Sequence, residues 1–166
     1  GPTKEVWLDE FGQDSCYVQD WGMLEVNRSV VHTPLTVNGV VYERGLGAHS
    51  ISRLLYDLDG KAVSISGLAG ADDKNLFAGK LQFKILGDKK ELWKSGVMQK
   101  GDPVKEFNVN LKGVDKVLLL VEECGDGIMY DHADWLNVKI TTRGDVKPVP
   151  AWAKPVAKEK LPLIHI

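Results

Sequence analysis

What most constrains this chain is the spacing of its apolar residues: they recur at every second position in short runs, and each run ends at glycine, aspartate or asparagine. A period of two sends successive side chains to opposite faces of a strand, and almost no stretch carries the 3.6-residue period of an amphipathic helix. Val6 to Phe11 reads as the first strand. Leu35 to Tyr42 holds Asn38-Gly39 between apolar residues, the strongest short signal for a hairpin. Ser50 to Leu58, Ala62 to Leu68 and Lys80 to Leu86 alternate, and the last leads through Gly87-Asp88-Lys89-Lys90 into a returning strand at Glu91 to Lys94. Val104 to Leu111 alternates again, Lys116 to Glu122 is a continuous apolar run, and Asp134 to Thr142 closes the series. About eight strands at this spacing specify an all-β sandwich or barrel, not an α/β enzyme.

A chain of 166 residues can bury a full core unaided. Its net charge of −2 offers no footprint for nucleic acid or an anionic membrane. No apolar run approaches the roughly 20 residues that span a bilayer. Gly1-Pro2-Thr3 looks like the remnant of a cleaved tag or leader, so residues 1–4 are set aside. After Arg143 the pattern stops: Pro148, Pro150, Pro155 and Pro162 are mixed with Lys and Ala. The expected organisation is therefore a folded domain over 5–143 and a Pro/Lys-rich linker over 144–166 leading to a further domain. Cys16 and Cys124 have no CxxC or metal-ligand spacing. They read as two buried thiols, or as a disulfide if the first and last strands pair and bring their loops together.

Signatures of catalysis are missing: there is no GxSxG, HExxH or GxxxxGK[ST], and Gly125-Asp126-Gly127 lacks the rest of a calcium-loop pattern. The 23 carboxylates leave room for a glycosidase pair, but most loops are too short to build a cleft. Two loops are long. Gly12 to Thr33 carries Asp14, Tyr17, Gln19, Asp20, Trp21, Asn27 and Arg28; Glu123 to Ala133 carries Asp126, Tyr130, Asp131 and His132. Connectors do not need such side chains. They suit a sugar, whose C–H face covers an aromatic ring and whose hydroxyls take paired, charge-assisted hydrogen bonds. The axial O4 of galactose suits arginine, carboxylate and histidine together. The expected sugar site has Trp21 stacking and Glu43, Arg44, His49 and Asp131 binding hydroxyls, with Gln19, Asp20, Tyr130 and His132 next. Trp7, Trp93 and Trp135 lie within strand patterns and read as core. His49 reads equally as a buried brace, and Asp134 as a structural hydrogen-bond acceptor. The oxygen-rich turn at Asp72 and Asp73 is a candidate metal site for a hard cation.

Four ordered segments carry a family resemblance: Tyr42-Glu43-Arg44-Gly45-Leu46-Gly47-Ala48-His49, then Leu55-Tyr56-Asp57-Leu58, then Gly70-Ala71-Asp72-Asp73, and finally Gly125-Asp126-Gly127 with Asp131-His132-Ala133-Asp134-Trp135. Over about residues 5–143 the chain resembles the NPCBM domain, a carbohydrate-binding module. The resemblance implies a jelly-roll-like antiparallel β-sandwich appended to secreted bacterial glycoside hydrolases, α-galactosidases among them. It also implies ligands ending in galactose or N-acetylgalactosamine, a structural calcium ion, and a secreted, periplasmic or cell-surface location. The implied partners are terminal galactose-type glycans and a covalently linked catalytic domain. The alternative is a spacer that docks on that domain without binding sugar.

Overall fold

The computed structural model describes residues 1–76, 79–125 and 131–149. In chain order the strands are β1 (Lys4–Trp7), β2 (Cys16–Gln19), β3 (Glu25–Val26), β4 (Leu35–Val37), β5 (Val40–Tyr42), β6 (Gly45–His49) and β7 (Ser52–Asp57). They continue as β8 (Ala62–Ala71), β9 (Lys80–Gly87), β10 (Lys90–Gln99), β11 (Lys105–Asn110), β12 (Lys116–Glu123), β13 (His132–Thr142) and β14 (Lys147–Pro148). One sheet has the order β11-β8-β13-β6-β3 and the other β10-β9-β12-β7-β14, so the chain forms an antiparallel β-sandwich.

The alternation read from sequence is the burial pattern of the inner faces. Leu54 and Tyr56, Leu81, Phe83 and Ile85, and Val117, Leu119 and Val121 are all sealed in the core. Trp135 lies among them, with Phe83 edge-on at 4.9 Å and Phe107 at 5.8 Å. Burying such a ring contributes about 1.5–3 kcal/mol, and each edge-to-face contact about 0.5–1.5 more. Asn38 and Gly39 both take positive φ, 50° and 80°, as the expected tight hairpin requires.

β13 and β7 are each flanked on one side by two short strands laid end to end. Along one edge of β13, β1 pairs from Thr142 to Lys139 and β6 pairs from Leu136 to His132. Along β7, β14 and β2 divide the edge in the same manner. This corrects three expectations. The first strand ends at Trp7, because Leu8 and Phe11, three residues apart, both turn onto the core in a 3-10 segment, Leu8–Ser15. The stretch read as one loop from Gly12 contains β2 and β3. The folded part also runs past Arg143: Val146 is buried, β14 pairs with β7, and the Val149 amide donates to the Leu55 carbonyl. Lys4, set aside with the leader, already pairs with Thr142. The rest of the expected linker, from residue 150, lies outside the described residues. Cys16 and Cys124 are both thiols, with no bond between them.

Candidate functional site

The glycines of the motif have a steric reason. A Cβ on Gly45 would run into the Trp135 carbonyl and one on Gly47 into the Arg28 carbonyl, so β6 can be flanked closely only without side chains there. That close approach lets the Arg28–Ser29 segment lie over Gly47, just after β3 pairs with the edge of β6. Asn27 fixes it by accepting the Gly45 amide on Oδ1 at 3.0 Å.

At the far end of β6, His49 stands directly opposite His132 of β13. Their rings are 5.3 Å apart, and Trp21 lies tilted against both, at 5.1 Å from His49 and 6.2 Å from His132. Gln19 holds Trp21 from behind, donating Nε2 to its carbonyl at 3.0 Å. His49 Nδ1 lies 2.7 Å from the Ser50 carbonyl. A carbonyl can only accept, so Nδ1 carries the proton. Asp131 Oδ2 accepts the Ser50 hydroxyl at 2.6 Å.

Two positioning residues were missed by sequence reasoning. Ser50 aims Asp131, and Asn75 clamps the His132 backbone, accepting its amide at 2.6 Å and donating to its carbonyl at 2.8 Å. Asn75 follows the Asp72-Asp73 motif by two residues, and its role depends on a backbone contact that spacing does not record.

Of the expected sugar-binding residues, the structure therefore gathers Gln19, Trp21, His49, Asp131 and His132, with Asp20 beside them at the bend. Tyr130 lies outside the described residues. Trp21 is not the open platform expected for it: it is 4% exposed, because the two imidazoles pack on it, while Asp20 and Gly22 on either side are half-buried. Glu43 and Arg44 do not join the cluster. They form the bend before β6, five residues or about 17 Å of strand from His49. Arg44 is occupied there: it donates Nε and Nη2 to Asp9 at 3.1 and 3.0 Å and lies over the Trp7 ring at 4.1 Å. It closes the junction where β1 gives way to β6.

The expected pair of metal ligands also divides. Asp73 receives the Asn38 and Gly39 amides, both at 2.9 Å, and so caps the hairpin tip. Asp72 receives the Lys74 amide at 2.9 Å. Among the described residues no group of three or more His, Cys, Asp or Glu side chains is placed to hold a metal. Asp134, expected to accept structural hydrogen bonds, accepts none within hydrogen-bond geometry although it is 1% exposed. Burial first, then the Asp72 carboxyl beside it and the charge of Asp73, hold its carboxyl well above the usual carboxylate range.

Residues 4–141 match the NPCBM/NEW2 domain, and the chain belongs to that family. Among solved structures it is similar to the CBM51 module of a Clostridium perfringens GH95 protein in complex with methyl-galactose, at 25% identity and TM-score 0.73, covering 82% of this chain and 99% of that one. It is also similar to the ZmpB protein of C. perfringens, solved as an M60 catalytic domain with two CBM51 domains: 28% identity, TM-score 0.74, 85% of this chain and 15% of that one. A curated relative, Alpha-1,3-galactosidase B of Akkermansia muciniphila, is 29% identical over 130 residues, 76% of this chain. The chain spans 16% of that protein and 10% of a Renibacterium salmoninarum relative named for endo-alpha-N-acetylgalactosaminidase activity. The chain is thus a non-catalytic module of the carbohydrate-binding class.

Proposed function

We propose that this module binds terminal galactose or N-acetylgalactosamine and holds an attached, secreted or surface-located glycoside hydrolase, such as an α-galactosidase, on its substrate. The observation that carries this reading is the packing of Trp21 on the His49–His132 pair beside Asp131. Two imidazoles packed on one indole, with a carboxylate one residue away, have the chemistry for directional bonds to adjacent sugar hydroxyls, although His49, Asp131 and His132 are only 0–1% exposed. The methyl-galactose complex of the related CBM51 module and the galactosidase name of the curated relative support the galactose configuration. One small ring has few heavy atoms, so a dissociation constant on the order of 0.1–1 mM is expected. The test is calorimetric titration with methyl galactoside. His49→Gln and His132→Gln, which keep polar side chains, lose at least tenfold in affinity. Wild-type affinity in both variants would move the site elsewhere.

A structural calcium ion is a second reading, and the buried carboxyl of Asp134 is the group that raises it. A buried carboxylate with no donor is stable only if it keeps its proton or neighbours a cation. The carboxyls such an ion would bridge are Asp72 and Asp134, which lie side by side; Asp73 turns its oxygens to the hairpin amides. A bound ion makes the melting temperature fall in chelator; an unchanged melt leaves the proton as the answer.

A further inference from the structure

The outer face of the β13 sheet is covered over only part of its length. The β4–β5 hairpin lays Leu35 and Val37 on Leu136, with Leu68 at the edge. The cover ends where the β13 register shifts between Leu136 and Lys139, at Asn137 with φ 51°. Beyond that point lies a largely open trough of about 460 Å³.

Its shape follows from residue size along the register. Ser64 and Ser66 on β8 form a low floor, half-buried. Longer side chains rise on both sides: Asn108 stands opposite Ser66 from β11, and Lys139 stands opposite the same serine from β13. Glu106 and Leu68 are paired one step further along. The floor thus runs along β8 from Ser64 to Leu68, about 13 Å, with hydroxyls at one end and a half-buried leucine at the other. Lys139 is paired with Glu5, which leaves Glu106, among the described residues, as the charge on the rim without an ion-pair partner. That balance disfavours anionic glycans and suits a neutral chain that offers hydroxyls and C–H faces in turn.

We infer that this trough is a second carbohydrate-binding surface, which takes the interior of a neutral linear oligosaccharide. The inference rests on the sugar-binding reading of the module, but not on the ring cluster. His132 and Lys139 are seven residues apart on β13, roughly 23 Å of strand. An end sugar needs a closed site that surrounds one ring, whereas an open trough lets a chain continue past both ends.

The test is a nitrogen-15 NMR titration of the whole chain with methyl galactoside and, separately, with linear galactotetraose. The tetraose is expected to shift the amides of residues 64–68 and 106–108, and methyl galactoside is not. Ser66→Tyr fills the floor and Asn108→Ala removes a rim amide. Each weakens the response of those amides to the tetraose at least fivefold, while the response around His49 and His132 stays as in the wild type. Silence of residues 64–68 at saturating tetraose overturns the trough, as do wild-type responses in both folded variants. A trough response with a silent ring cluster keeps this inference and removes the ring cluster as the galactose site. Absence of any response to either sugar removes both.

Discussion

Ser50 and Asp131 are joined twice: the Ser50 hydroxyl donates to Asp131 Oδ2 at 2.6 Å, and the Ser50 amide donates to the Asp131 carbonyl at 3.1 Å. The pair sits one residue beyond the His49–His132 pair and ties the end of β6 to the start of β13. A hydrogen bond to a carboxylate contributes about 1.5–3 kcal/mol. Ser50→Ala should therefore weaken methyl galactoside binding several-fold in calorimetry and lower the melting temperature by a few degrees, and Ser50→Thr should restore both. Unchanged affinity in a folded Ser50→Ala protein would remove Asp131 from the sugar site.

Arg44→Ala tests the division of the expected site. Asp9, 8% exposed with Arg44 in place, would lose its partner, and Trp7 would lose the guanidinium over its ring. Because Arg44 is itself partly solvated, the cost is set at the low end for a charged hydrogen bond, about 1.5 kcal/mol. The expected outcome is a melt lower by several degrees with unchanged affinity for methyl galactoside. Lost binding with an unchanged melt would return Arg44 to the site.

Asp134 gives a pH dependence with a definite sign. Its folded-state pKa is raised well above the 3.8 of an ordinary aspartic acid. Below 3.8 both states are protonated, and the group is neutral toward stability. As pH rises past that value the unfolded chain releases its proton and the folded chain retains it, so stability falls until the folded pKa is reached. Denaturant melts between pH 4 and 8 should show this fall, and Asp134→Asn should flatten it. A wild-type protein that instead gains stability with pH, and loses the gain in chelator, carries a cation at Asp72 and Asp134.

Cys16 lies in the core, where burial pushes its thiol up to about 11. The thiolate is the reactive form, so Cys16 should resist Ellman's reagent at pH 8 in the folded protein and react once guanidinium unfolds it. Prompt modification of Cys16 in the native protein, mapped by mass spectrometry, would show that the β2 edge opens.

How legible this was in the sequence differs by element. β4, β5, β7 to β11 and β13 follow from alternation and turn chemistry, and β12 from its continuous apolar run; Asn38-Gly39 and Asp88-Lys89 fix the β4–β5 and β9–β10 hairpins whatever packs nearby. β6 was not legible as a strand: in Gly45-Leu46-Gly47-Ala48-His49 small residues stand where another backbone crosses, so the pattern reflects packing between segments, which periodicity does not record. β2, β3 and β14 are too short to show a period. The site was half legible. Gln19, Trp21, Asp131 and His132 stood out in long loops, but Arg44 was grouped with His49 by motif although the strand between them holds them apart. Asn75 and Ser50 act through backbone and hydroxyl contacts that only the fold creates.

The most direct measurement is of the histidine rings themselves. In a methyl galactoside titration followed by long-range proton–nitrogen NMR, the imidazole signals of His49 and His132 should move together and saturate with one dissociation constant on the order of 0.1–1 mM. His32, which is exposed and paired with Glu25 at 3.1 Å, should not move. If both buried rings stay fixed while other signals saturate, the sugar binds elsewhere and the Trp21–His49–His132 cluster is only a brace of the fold.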